Sequence, residues 1–252
     1  MSAVAEKLFD NPPALGPETF NVLLYGPPGT GKTTAAATAP GPIVWINLEG
    51  TGAMAYARRV AAERGTELLE MQIRADEDPR ERLRQAVAYA QGNDVGTIVV
   101  DTIGKVRQQI AFAIGGDNPS MPEWGQTAKA MRDLVRTLRD LSVNVVLIAH
   151  ESFMEDGEAL VVQPEIGGKT TADVMAEVDV VGYTGVVEDE GERIFMARLI
   201  DGNGRRAKDR SGALGTHRQL DLSEWLDTFR EALKTDLSDI PFLDNDDSKE
   251  QE

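Results

Sequence analysis

The chain has 252 residues and no cysteine, and its 42 acidic against 26 basic side chains give a formal charge of −16. That length suits one domain with appendages and a sizeable core, while the missing cysteines exclude disulfides and thiolate metal sites. No segment approaches the about 18 uninterrupted apolar residues of a membrane helix, and the acidity excludes a surface coated in basic residues for indiscriminate nucleic-acid binding, though not a local basic groove.

Residues 1–20 carry Pro12, Pro13 and Pro17 and little pattern, so they read as a lead-in with one short helix near residues 3–8. The opening MSAVAEKLFDNPP has no signal-peptide apolar core, and a cytoplasmic protein without membrane contact is expected. Alternating strand and helix signals begin at Asn21 and predict an α/β core over 21–235. A strand at 21–25 runs into GPPGTGKT at 26–33, the spacing G-x-x-x-x-G-K-[ST], with a helix following to about 38. In such a loop Gly26, Pro27, Pro28, Gly29, Thr30, Gly31 and Thr34 wrap one phosphate cluster, with the backbone N–H groups of the non-proline residues turned toward the anion. Lys32 adds a point charge there, and the Thr33 hydroxyl joins a Mg2+ shell.

Further along, a strand at 43–47, a helix near 52–64, a strand around 68–73 and a helix near 79–91 are expected. The run TIVVD at 97–101 then reads as a buried strand ending in a carboxylate. Asp101 would project from the carboxyl edge of a parallel sheet, beside the phosphate loop, as a Mg2+ ligand; an Asp there also suits a helix cap. Asp101 is followed by Thr102, not Glu, so a hydrolytic base must come from elsewhere. Glu49, two residues beyond the strand at 43–47, is placed to reach an attacking water.

After a helix near 103–114, GGDNPSMPEWG at 115–125 is dense in turn formers and predicts a mobile loop. An amphipathic helix over 126–141 and the strand at 145–149 lead to His150, and 151–171 reads as a second long connection. Alternation resumes with strands at 178–183 and 193–199 and a helix near 223–235. Residues 236–252 hold seven acids against Lys249, a composition that cannot build a core and predicts a disordered acidic tail.

These residues reach a family. WINLEGTGAMAYARRVA at 45–61 and TIVVDTIGKV at 97–106 resemble the glutamate and magnesium-aspartate strands of RecA-type ATPases, and the likeness extends more weakly over 21–212. The resemblance implies a RecA-like fold with a mostly parallel central sheet flanked by helices. It also implies ATP and Mg2+ as ligands, Glu49 as the base, and His150 where such proteins carry a polar residue, usually Gln, that senses the terminal phosphate. It places basic residues of a neighbouring protomer in NGRRAKDRSG at 203–212, where Lys208 and Arg210 are the candidates for a shared site in a head-to-tail ring or filament. Two DNA-binding loops are implied at 115–125 and 151–171. Trp124 there could stack on a base, Lys105, Arg107 and Lys129 flank it, and Lys169 sits in the second loop, which is otherwise acidic. The compact chain is similar to the short RecA-like proteins of some phages, which implies single-stranded DNA as partner in recombination or annealing. LSDIPFLDND at 237–246 resembles the acidic tip of bacterial single-strand-binding proteins, which implies a partner from replication. Two other classes stand beside this one: an AAA+-like or helicase-loader-like ATPase remodelling a protein, and a nucleotide-gated structural module without useful hydrolysis.

Overall fold

The computed structural model describes residues 19–157 and 159–233. The lead-in helix expected near residues 3–8 and the acidic tail at 236–252 lie outside these residues.

Five apolar runs become the centre of one sheet. They are β1 (Asn21–Tyr25), β2 (Ile43–Asn47), β4 (Thr97–Asp101), β5 (Asn144–Ala149) and the start of β8 (Val180–Asp189). All residues of the first four are buried, as befits parallel strands covered on both faces. Together with β3 (Leu68–Gln72), β9 (Glu192–Arg198) and β11 (His217–Gln219), the order is β11-β9-β8-β1-β5-β4-β2-β3, and β10 (Lys208–Asp209) also pairs with β8. From β3 to β8 every pairing is parallel; β9, β10 and β11 join antiparallel. This is the mostly parallel RecA-like sheet expected, with β5 inserted between the strand that feeds the phosphate loop and the strand that ends in Asp101.

Alternation along the strands sends side chains to two cores. Leu23, Ile98 and Val100 pack with Leu83, Ala86 and Ala90 of α3 (Pro79–Gly92), Val106 and Ile110 of α4 (Ile103–Gly115), and Met131, Val135 and Leu138 of α5 (Met121–Arg139). Val22, Leu24 and Val99 face the other way, onto α1 (Lys32–Ala36), α2 (Met54–Glu63) and α7 (Leu222–Leu233), where Trp225, Leu226 and Phe229 fill the space. α1 stops at Ala36, two residues earlier than expected. Thr38 donates its hydroxyl to Ala35 O at 2.7 Å and accepts from Leu222 N at 2.7 Å, and its carbonyl accepts from Ser223 Oγ at 2.6 Å. The end of one helix is thereby fastened to the start of another.

Both expected loops are corrected. The segment 115–125 is not a loop throughout: α4 runs to Gly115 and α5 already begins at Met121. Ser120 and Glu123 form a capping box and Pro122 stands in the first turn, so the turn-forming residues act here as a helix start. The segment 151–171 is a hairpin followed by a helix. β6 (Glu151–Asp156) pairs antiparallel with β7 (Ala159–Pro164), the chain turning at Gly157 with φ 65°, and α6 (Lys169–Glu177) follows. The strand expected at 178–183 extends to Asp189 and forms a second hairpin with β9.

Candidate nucleotide and hydrolysis site

The loop after β1 turns sharply because its glycines take a backbone that other residues avoid. Gly26 has φ 149°, and a Cβ there would lie 2.7 Å from the carbonyl and the hydroxyl of Thr184. Gly31 has φ 84°, with the Phe195 ring 3.0 Å from where a Cβ would be. Thr30 shares a hydrogen bond of 2.6 Å with the Thr184 hydroxyl, which pins the loop to β8. Pro28 and Gly29 stand exposed at the tip, Pro27 and Thr34 are half-buried, and Lys32 is only 6% exposed.

Lys32 Nζ donates to the loop's own carbonyls, Gly26 O at 2.8 Å and Pro27 O at 2.7 Å. Burial lowers its pKa, against the opposing pull of Asp101, Glu151 and Glu49. An ammonium held on carbonyls inside a glycine-rich turn suits a phosphate that would replace those weaker partners. Next to it, Thr33 Oγ1 donates to Asp101 Oδ2 at 3.2 Å. Asp101 is 1% exposed, and burial together with the charge of Glu49 pushes its pKa up to about 6, with Thr33, Lys32 and Lys105 pulling the other way. It does not cap α4, whose N-cap is Thr102. A hydroxyl and a carboxylate in contact at a buried position are hard oxygen donors that fit Mg2+ bound with substrate phosphates. Among the described residues no group of three or more His, Asp or Glu side chains could hold a metal without such help.

Glu49 stands two residues past the end of β2, as expected, and Leu48 N donates to Asp101 O at 2.7 Å, tying the two strand ends together. The fully buried Asn47 sets its backbone, accepting from Glu49 N at 2.8 Å and Gly50 N at 3.3 Å while donating to Glu70 and Gln72. The Glu49 carboxylate receives the Thr102 hydroxyl at 3.3 Å, lies 3.5 Å from His150 Nε2 and pairs with Lys105 Nζ at 2.9 Å. Burial works to raise its pKa, but Lys105 and His150 outweigh this and leave it lowered. Thus Lys32, Thr33, Glu49, Asp101 and His150, spread over 119 positions of sequence, meet at the carboxyl edge of the sheet.

The residues expected at DNA separate into groups. Lys105 belongs to the hydrolysis site through Glu49. Arg107 lies over the Trp124 ring at 4.8 Å and packs against Gly167; burial lowers its pKa, and its Nε has no partner. Trp124, on the first turn of α5, therefore has one face covered by a cation. Lys129 pairs with Asp133 at 2.7 Å along α5, and Lys169 is exposed at the start of α6. Lys208 donates to Met175 O at 2.9 Å and Ala176 O at 3.3 Å, and Arg210 pairs with Asp179 at 2.8 Å. Both cations thus satisfy the end of α6 and the chain just beyond it within their own chain.

Sequence reasoning missed several partners. Asn47 had only its place two residues before Glu49 as a signal, and Lys105 its place one helical turn after Asp101. Glu151 accepts from the Tyr183 hydroxyl at 3.1 Å, and Arg205 covers the Tyr183 ring at 4.9 Å. No spacing in the sequence announces that pair.

A family model described as an AAA domain matches residues 18–211. No curated protein matches the chain. Among solved structures, a KaiC-like protein from the hyperthermophilic archaeon Pyrococcus horikoshii OT3 is similar at 18% sequence identity and a TM-score of 0.44, over 71% of this chain and 77% of that one. No helix among the described residues is long and apolar enough to cross a membrane.

Proposed function

The chain belongs to the AAA domain family of P-loop ATPases, and from that premise we propose that it hydrolyses ATP with Glu49 as the base and acts on single-stranded DNA in recombination or annealing, as a head-to-tail oligomer. One observation carries the hydrolytic part: Glu49 stands two residues past β2, the strand that pairs with that of Asp101, hydrogen-bonded to Thr102 and 3.5 Å from His150. Lys32 leaves the carbonyls of Gly26 and Pro27 for the phosphates, and the loop N–H groups orient them. Thr33 and Asp101 would hold Mg2+, which supplies neutralising charge to the phosphate oxygens. Glu49 takes a proton from the attacking water, a role worth about 10²–10⁴ in rate. His150 directly follows β5, which lies between the strands of the phosphate loop and of Asp101, and the β6–β7 hairpin starts at the next residue. A change at the terminal phosphate therefore has a one-residue path to the hairpin.

DNA as the substrate is supported by the gathering of Arg107, Trp124 and the Gly167–Gly168–Lys169 turn beside that hairpin. A shared site requires a neighbour's nucleotide to draw Lys208 from Met175 O and Ala176 O, and Arg210 from Asp179, their partners within the chain. The test is turnover and binding with single-stranded DNA across salt concentrations. DNA should change turnover, and its affinity should fall as salt rises; a chain that neither binds DNA nor responds to it in any nucleotide state excludes this substrate.

A second reading, a remodelling ATPase acting on a protein, is favoured by the hairpin itself. Phe153 is 62% and Leu160 60% exposed there, among Glu151, Glu155 and Asp156, a surface better suited to a protein than to a polyanion. Turnover stimulated by a protein and indifferent to DNA would select it.

A further inference from the structure

Beside Glu49, and lined by none of the phosphate-loop residues, lies an open cleft of about 430 Å³ between the end of β3 and α4. Its walls include Glu49, Arg74, Lys105, Gln108, Gln109 and Phe112. Of these, Glu49 and, through their ion pair, Lys105 belong to the hydrolysis site described above; Arg74, Gln108, Gln109 and Phe112 have no part in it. The volume falls within the range of small-ligand sites. Two cations line it, each held by a carboxylate: Arg74 by Asp76 at 3.2 Å and Lys105 by Glu49 at 2.9 Å. Phe112 is 54% exposed, an aromatic face offered to solvent. Gln109 ties the walls together, Nε2 donating to Arg74 O at 3.2 Å, while its own Oε1 is buried with no partner.

Cations, amides and an open aromatic ring within one small cleft are the complement of a phosphate joined to a flat base. We propose that this cleft binds a nucleotidyl unit, free or within a strand, and that its phosphate draws Lys105 off Glu49, linking occupancy of the cleft to hydrolysis. The linkage rests on Glu49 being the base; the binding does not. Lys105 is suited to the exchange because its ammonium has one carboxylate partner and a long contact of 3.5 Å to Leu48 O, on a flexible stem that reaches both sides. With Lys105 bound to phosphate, Glu49 keeps Thr102 and His150 as neighbours but loses the charge that most opposes its taking a proton.

The experiment measures binding without ATP, using thymidine monophosphate and a fluorescein-labelled oligothymidylate as probes, on wild type and on Lys32→Ala, Arg74→Ala and Phe112→Ala. Arg74 and Phe112 are exposed, so these two variants should keep the wild-type melting temperature and basal turnover. At least one probe should bind wild type and Lys32→Ala alike and bind Arg74→Ala and Phe112→Ala at least tenfold more weakly. Binding of the monophosphate identifies a free nucleotide as sufficient, and binding of the oligomer alone identifies a strand. The same probe should raise ATP turnover of wild type and leave that of the two cleft variants unchanged. Binding that is absent, lost in Lys32→Ala, or intact in the cleft variants overturns the site; binding without a change in turnover overturns the linkage. If Glu49→Gln keeps wild-type turnover while the cleft still binds, the assignment of the base has failed and the site stands.

Discussion

At the scale of the residue, the site concentrates charge that it would be cheaper to leave in water. Asp101 is the extreme case, buried beside Glu49 with its pKa raised from 3.8 to about 6. Between those values the folded chain holds a proton that the unfolded chain has released, so stability falls as pH rises through this window and stays lower above it. The difference amounts to about 3 kcal/mol. Asp101→Asn should therefore melt higher than wild type at pH 8 without metal or nucleotide, the gap closing towards pH 4, and should lose hydrolysis. A variant melting at or below wild type at pH 8 would show that Asp101 carries no such burden. Lys32 was legible from the spacing of its glycine-rich motif, and Asp101 and Glu49 because each sits at or just past a strand end, where chain order alone predicts the carboxyl edge. Lys105 was not, because its role depends on which way one helical turn faces, and the sequence offered it to DNA.

Among the elements, the strands and most helices were legible from apolar runs and periodicity, and the misses share a cause. Turn-forming residues also start helices and close hairpins: Ser120, Pro122 and Glu123 cap α5, and Gly157 folds β6 onto β7. Composition alone could not separate those uses from an open loop. The union of α1 and α7 through Thr38 was likewise invisible, since it joins positions 184 apart. Thr38→Val keeps the shape but removes the acceptor for Leu222 N in a buried place. It should cost about 1–3 kcal/mol, read as a lower denaturation midpoint with unchanged slope. No loss of stability would mean that this hydrogen bond contributes little to holding the two helices together.

For the whole molecule, the sheet order sets how many parts the site draws on. β5 between β1 and β4 brings His150 alongside Glu49, while β8 and its antiparallel partners carry Lys208 and Arg210 to the end of α6. If a neighbour's nucleotide recruits Arg210, Arg210→Ala should hydrolyse poorly alone but regain turnover when mixed with inactive Lys32→Ala. Mixtures no better than their parts would confine Arg210 to its pairing with Asp179, 2.8 Å away in the same chain. Nothing in the order of sequence elements distinguishes those two uses of one guanidinium, because both need the same position at the start of the turn after β10.

The most direct measurement on the hydrolytic site is ATP turnover and ATP affinity of Glu49→Gln side by side. Gln keeps the size of the side chain and its acceptor for Thr102 but cannot take a proton, so turnover should fall by about 10²–10⁴ with ATP bound as tightly as in wild type. Wild-type turnover in Glu49→Gln would contradict the assignment and move the base elsewhere on the carboxyl edge.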